Sequence, residues 1–285
     1  MIQNIEALQA LATFNTMEAA GVAIRVSQSA ISKRIAQLEH QIGKKLIEKS
    51  GRKVQLTPAG TRFLAQINPL MAEIKAVIND TQQDAQPALT IGIAESILTS
   101  WGANLINQAK ADLSIELFIH THRSPLVIEK VRSGEFELGL CVCRPISISG
   151  MIMEKFIDEP MVIIPANLKR SQAFNMKSIM TIEKNSETWR SINEKCLSLN
   201  LNITRHLESF FAIAQLARFG LGNALVPISV AHTLGIDHKS LNKLGLKLKR
   251  PIYFIARKTT FNKPSVKKLI QIFRDAKADL QSYFL

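Results

Sequence analysis

The chain of 285 residues has few cysteines, few tyrosines and tryptophans, and no long apolar run, and each scarcity excludes something. Without about 18 consecutive apolar residues, no transmembrane helix is expected. Three cysteines cannot make the paired framework that staples a small secreted domain. Cys141 and Cys143 alternate along an apparent strand and so share a face. No His or acid cluster completes a ligand set there, so they read as small buried hydrophobes, kept reduced, with Cys196 the odd thiol. The opening Met1-Ile2-Gln3-Asn4-Ile5-Glu6 lacks the basic and apolar regions of a signal peptide, which points to the cytoplasm. Enzyme signatures are missing too: there is no Gly-rich phosphate loop, no Gly-x-Ser-x-Gly elbow, no His-Glu-x-x-His pair and no paired-Cys zinc spacing. His120 and His122 alternate at a strand end, but two ligands are too few for zinc. No enzyme, catalytic residue, metal or cofactor is expected.

What is present suits a globular chain of two or three domains, with 46% hydrophobic and 21% charged residues. The formal charge of +13 suggests an anionic partner. Its distribution qualifies that reading: residues 1 to 80 carry net +4, residues 81 to 236 balance, and residues 237 to 285 carry net +9. The carboxy-terminal excess reads as a solvated surface, so charge alone does not locate a nucleic-acid face.

The helical pattern does. Ile31, Ile35, Leu38 and Ile42 step by four, three and four, which buries one stripe and leaves Gln28, Ser29, Ser32, Lys33 and Gln37 facing out. Ser27 is positioned to cap this helix and Thr16 to cap a shorter one over Met17 to Ile24. Only Arg25 and Val26 separate the two, a helix-turn-helix, with a first helix over residues 3 to 14 as support. Leu46 to Lys49 and Val54 to Leu56 flank Ser50-Gly51-Arg52-Lys53, a hairpin wing whose tip carries two cations. Candidate DNA contacts are Ser27, Gln28, Ser29, Ser32, Lys33 and Arg34 on the second helix, and Arg52 and Lys53 on the wing. Gln28 and Ser29 suit base edges in the major groove, whereas the wing cations suit phosphates.

Ala19-Ala20, Val26 to Ser32, Ile35, Leu38-Glu39, Ile42-Gly43, Leu46 and Leu56-Thr57-Pro58-Ala59-Gly60 together resemble the amino-terminal signature of LysR-type transcriptional regulators. One departure stands out: the family's Leu-Phe-x-Arg entering the wing is Leu46-Ile47-Glu48-Lys49 here, which keeps a cation but loses the arginine fork.

Thr57-Pro58 opens a linker helix with an N-cap and a proline at the first helical position. Leu64, Ile67, Met71, Ile74 and Ile78 form a heptad seam along it, which needs a partner helix and reads as a dimer contact. Pro69 should kink it at a cost of about 3 kcal/mol. The resemblance likewise implies a homodimer, assembling further to a tetramer. Residues 1–60 are thus expected to form the winged helix-turn-helix, and 61–87 the dimerising helix and hinge, ending in the polar stretch Thr81 to Pro87.

From Ala88, strands at Leu89–Ala94, Ser114–Ile119, Leu138–Val142 and Met161–Pro165 alternate with helical patterns, which implies a helix-covered parallel sheet. Leu89 to Gly92, Gly134 to Leu140, Asp158 to Pro165 and Gly220 to Pro227 also resemble the LysR-type effector domain. That implies a two-lobed α/β fold like the periplasmic binding proteins over 88–285, with lobe I at about 88–156 and 255–285 and lobe II at about 157–254. Ligands of open α/β sheets sit at the carboxyl ends of strands. The candidate effector residues there are Ser96, Thr121, His122, Arg123, Arg144, Ser209 and Phe210. Ser96 and Ser209 can equally be helix caps, and the two arginines can equally be solvated. Positive potential beside Phe210 suggests a small carboxylate effector. The expected protein is a regulator of double-stranded DNA controlled by a small molecule; the alternative is a solute-binding or cysteine-based redox regulator with no dedicated metabolite.

Overall fold

A computed structural model describes residues 1–50, 53–80, 88–113, 115–144, 150–166, 178–241 and 247–284. The chain divides into two units, Met1–Gln83 and Asp84–Leu285.

In the first unit α1 (Ile2–Phe14), α2 (Met17–Ala23) and α3 (Gln28–Ile42) surround a core of Ile5, Leu8, Leu11, Ala20, Ile31, Ile35 and Leu38. Both expected caps are made: Thr16 accepts from the Ala19 N–H and Ser27 from the Ala30 N–H, each at 3.2 Å. The turn between α2 and α3 is tight because Gly21 lets it close. A Cβ there would lie 2.6 Å from the Val26 carbonyl oxygen. The wing is β1 (Ile47–Ser50) paired antiparallel with β2 (Lys53–Leu56), so Ser50 and Lys53 are the last rung of a ladder rather than loop residues. Arg52 lies outside the described residues.

Then α4 (Pro58–Asp80) continues through Pro69. The structure divides its seam. Leu64 and Met71 are buried in this unit's own core and Ile67 is half-buried against it; Gln9 of α1 also donates to Asn68 at 2.9 Å. Leu64 and Met71 are therefore not open to a partner, contrary to the heptad reading. Ile74 and Ile78 are exposed, together with Leu70. The polar stretch 81–87 lies outside the described residues.

The second unit begins with β3 (Ala88–Ala94), a helical segment made of α5 (Glu95–Ile97), a π turn (Leu98–Gly102) and α6 (Ala103–Asp112), then β4 (Glu116–His122), α7 (Ser124–Ser133) and β5 (Leu138–Val142). The long β6 (Met151–Ile164) follows, then β7 (Ile179–Ile182), α8 (Glu187–Ser198), β8 (Ile203–Leu207), α9 (Phe210–Arg218), β9 (Asn223–Pro227) and α10 (Ile228–Thr233). The chain closes with β10 (Lys249–Arg257), α11 (Lys258–Phe261), α12 (Pro264–Asp275) and α13 (Lys277–Tyr283). The strand order is β4-β3-β5-β10-β6-β9-β7-β8.

Two strands carry the chain between the halves of that sheet. Through Pro160, β6 pairs with β10; from Met161 it pairs with β9. The lobe boundaries expected near 156 and 255 fall inside β6 and β10, and the partner change lies at Pro160/Met161. One continuous core fills both halves, from Leu89 and Val127 to Met180 and Leu225. Close packing appears at Gly92, where a Cβ would sit 2.3 Å from the Phe136 ring.

Candidate DNA interface and interlobe cleft

On α3, Ser27, Gln28, Ser29, Ser32, Lys33, Gln37 and His40 are exposed, a polar face one helix long. Ser27 is already engaged, since its hydroxyl caps the helix and meets the Ser29 hydroxyl at 2.9 Å. Arg34 is half-buried and turns to α1, donating to Gln3 Oε1 at 3.2 Å. Its forked donors are thus partly spent within the unit. Lys53 is exposed on β2.

Sequence reasoning missed the residue that fixes the wing to this helix. Glu39, near the end of α3, is buried and accepts from Lys45 Nζ at 2.7 Å and from the backbone N–H groups of Leu46 and Ile47 at 2.8 and 3.3 Å. Burial alone would push its carboxyl up, but these donors together outweigh it and hold the carboxyl below its ordinary value. The wing thus starts from a fixed point.

In the second unit the carboxyl ends of five strands meet. Glu95 and Ser96 follow β3, Arg123 follows β4, Arg144 follows β5, Glu183 follows β7, and Glu208 and Ser209 follow β8. Contacts cross between the halves at each of these points. Arg123 Nη1 lies 2.5 Å from Glu183 Oε2 and 3.8 Å from Glu208 Oε1. Arg144 Nε lies 3.3 Å from Glu187 Oε2, and Arg190 Nη1 lies 2.9 Å from the other oxygen of the same carboxylate. Ser209 sits at the N-cap of α9, yet its hydroxyl turns to Glu95 Oε1 at 3.4 Å.

The expectation of an anionic ligand took Arg123 and Arg144 as inward-facing and without partners. Each meets a carboxylate from the opposite half, and Arg144 shares its carboxylate with Arg190. Two further expectations are corrected. Thr121 and His122 belong to β4 rather than to a turn after it. Strand alternation sends the His122 ring over Phe136 at 5.9 Å, beside His120 at 5.0 Å, while Thr121 donates to the Ile93 carbonyl at 3.2 Å. Arg123 alone of the three spans the halves.

Beneath the cleft lies a buried network. Arg250 on β10 and Glu159 on β6 are register partners, 1% and 0% exposed. Arg250 donates twice to Glu159 Oε2, from Nε at 2.9 Å and Nη2 at 2.6 Å, and from Nη1 to Ser96 Oγ at 2.8 Å. Its guanidinium carbon lies 5.4 Å from the centre of the Phe210 ring. The Ser229 hydroxyl and N–H close the network on Glu159 Oε1. Ser96 is therefore no helix cap, because its oxygen is held by the floor of the cleft.

All three thiols are buried. A hydrogen bond with Cys143, then burial, push the Cys141 thiol well up, and burial raises Cys196 to about 11. Since the thiolate is the reactive form, this arrangement gives the redox alternative no support. Among the described residues, no group of three or more His, Cys, Asp or Glu side chains is placed to hold a metal ion, and no helix is long and apolar enough to cross a membrane.

Comparison with known proteins agrees with this anatomy. Residues 2–61 match the bacterial regulatory helix-turn-helix proteins of the lysR family, and residues 82–278 match the LysR substrate binding domain. An uncharacterized HTH-type transcriptional regulator of Vibrio cholerae is 28% identical over 280 residues, covering 97% of this chain and 96% of that protein. Full-length CbnR in complex with its target DNA superposes with a TM-score of 0.65 at 18% identity, covering 97% of this chain and 99% of that one. A full-length OxyR cysteine variant from Pseudomonas aeruginosa gives 0.72 at 19% identity, covering 96% and 97%. At these identities the solved structures show the fold alone.

Proposed function

Because the chain belongs to the LysR family of transcriptional regulators, with its helix-turn-helix and its effector-binding domain both in place, we propose that α3 reads its operator through Gln28 and Ser29, with Ser32 and Lys33 beside them. The observation that carries this reading is the exposed polar face of a helix whose opposite stripe is buried and whose start is capped by Ser27. Lys53 holds the adjacent phosphates. The partner is double-stranded DNA; CbnR, of the same fold, is found complexed with its target DNA. A small molecule binds in the cleft between the two halves of the second unit, at Ser96, Ser209, Phe210 and the bridging arginines, and changes how DNA is held. The protein works in the cytoplasm as a homodimer joined through Ile74 and Ile78, the exposed part of the α4 seam, with Leu70 beside them, and a second contact between effector units extends it to a tetramer.

The DNA reading is tested by titrating operator and random duplexes with two variants. Gln28→Ala is expected to cost about 1–3 kcal/mol on the operator and little on random DNA, since a base contact carries sequence information. Lys53→Ala is expected to weaken both equally and to flatten the salt dependence, the mark of a phosphate contact. Equal losses for Gln28→Ala on both duplexes remove base readout by that residue.

A further inference from the structure

The two serines of the cleft are held with opposite hydrogen-bonding polarity. Ser96 Oγ accepts from Arg250 Nη1 at 2.8 Å, and Arg250 is immobilised by its two bonds to Glu159. A guanidinium can only donate, so the Ser96 hydrogen is turned away from it, and what Ser96 presents is a donor. Ser209 is the reverse: its hydroxyl donates to Glu95 Oε1 at 3.4 Å, a carboxylate that can only accept, which leaves the Ser209 oxygen to accept.

Charge sorts the same way. On the Ser96 side Arg250 is balanced by Glu159, so the group that meets Ser96 needs lone pairs but no net charge. On the Ser209 side three carboxylates, Glu95, Glu183 and Glu208, share that end with Arg123. Glu183 and Glu208 follow adjacent parallel strands in register, Ile182 beside Leu207, and both face Arg123. Burial, then the neighbouring Glu208 carboxyl, raise the Glu183 carboxyl, as expected where negative charge exceeds its compensation.

We propose that the cleft takes a protonated amine that also carries a carbonyl or carboxylate acceptor, an amino-acid-like molecule, with its acceptor on Ser96 and its ammonium facing Ser209, Glu95 and the Glu183–Glu208 pair. This rests on the effector-cleft reading above and narrows it. A carboxylate without an amine leaves the acidic side unanswered, and a simple amine leaves the Ser96 donor unmet; an amino acid satisfies both.

The test is calorimetry on the full chain with a panel of L-amino acids, organic acids, sugars and nucleosides. Each amino acid that binds is followed by two probes of the same skeleton, one without the amine and one without the carboxyl. An amino acid is expected to bind, and each probe to bind at least about tenfold more weakly, because each loses one charge-assisted bond. Glu95→Gln is expected to weaken the amino acid about tenfold and to leave the amine-free probe nearly unchanged. If the tightest ligand in the panel lacks a protonated amine, the ligand class is wrong while the effector cleft stands. If an amino acid binds but Glu95→Gln does not weaken it, the assigned orientation is wrong. If nothing in the panel binds to protein that still recognises its operator, the effector-cleft reading falls and this inference with it.

Discussion

Replacing Arg250 by Met leaves Glu159 buried at 0% exposure with its two strongest donors gone. Losing one partner of such a pair costs about 3–5 kcal/mol, since the remaining charge has neither water nor counterion. For a unit of this size each kcal/mol moves the melting temperature by about 2–4 °C, so its transition should fall by roughly 6–20 °C. Glu159→Met should do comparable damage by stranding Arg250. The double variant Arg250→Met/Glu159→Met removes both charges and fills the space with apolar side chains, and should return to within about 2 kcal/mol of the natural chain. The Ser96 and Ser229 hydroxyls lose partners in it, which accounts for a deficit of about 1 kcal/mol each. Scanning calorimetry on the four proteins gives the coupling directly, and it should exceed about 2 kcal/mol. Single variants costing under about 1 kcal/mol, or single costs that simply add in the double, refute the argument that this pair is buried and mutually dependent.

Two other outcomes follow from the first unit. Ile74→Asp should dissociate the dimer with little loss of unit stability, because Ile74 is 40% exposed within one chain and meets a like charge only across the proposed interface; sedimentation showing an intact dimer would move the interface off α4. Glu39→Gln should cost about 1.5–3 kcal/mol by weakening charge-assisted bonds to Lys45 and the start of β1. The natural chain should lose the same contribution in acid. The folded carboxyl lies below its unfolded value, so the stabilisation is present above the unfolded pKa and disappears as pH falls through the folded one. Equal acid sensitivity of the natural chain and the Glu39→Gln variant, followed by amide exchange at Leu46, would discard this role for Glu39.

The helix-turn-helix was legible because its signals are local. A cap, a stripe at helical spacing and a two-residue gap set α2 and α3 almost to the residue, as Thr16 and Ser27 show. The effector unit was legible only in outline. Its first three strands were anticipated, but β7 and β8, each of four or five residues, and the first part of β6 were not, because short runs broken by charged residues such as Glu154, Lys155 and Arg205 hide the period of a strand. The candidate cleft residues were placed by their positions after strands, and Ser96, Arg123, Arg144 and Ser209 do follow strands in the structure. What it could not supply was their partners: Glu183, Glu187 and Arg250 come from 43 to 154 residues away. The heptad on α4 misled for the same reason, since spacing identifies a stripe and not whether the cover is the unit's own core or another chain.

The contacts that cross the cleft differ in strength enough to say which of them can yield to a ligand. Arg123 is 53% exposed and its second partner Glu208 is 74% exposed, while Arg144 is 42% exposed. Pairs so open to water are worth about 0–1 kcal/mol each, and salt screens them further. Breaking both at the rim is within reach of any ligand of micromolar affinity, which has about 8 kcal/mol of binding free energy. The Arg250–Glu159 pair is different, because opening it would leave two buried charges unpaired. Any movement of one half against the other that left this pair intact would turn about it, at the place where β6 exchanges β10 for β9. Ser96 is tied to the fixed pair, whereas Ser209 is joined to Glu95 across the gap. A molecule that bound both serines, as proposed, would span the two halves, and it would favour a closed arrangement only by the difference between its contacts in the two states. The rim pairs would set how large that difference must be, and their small size would make a few polar contacts sufficient.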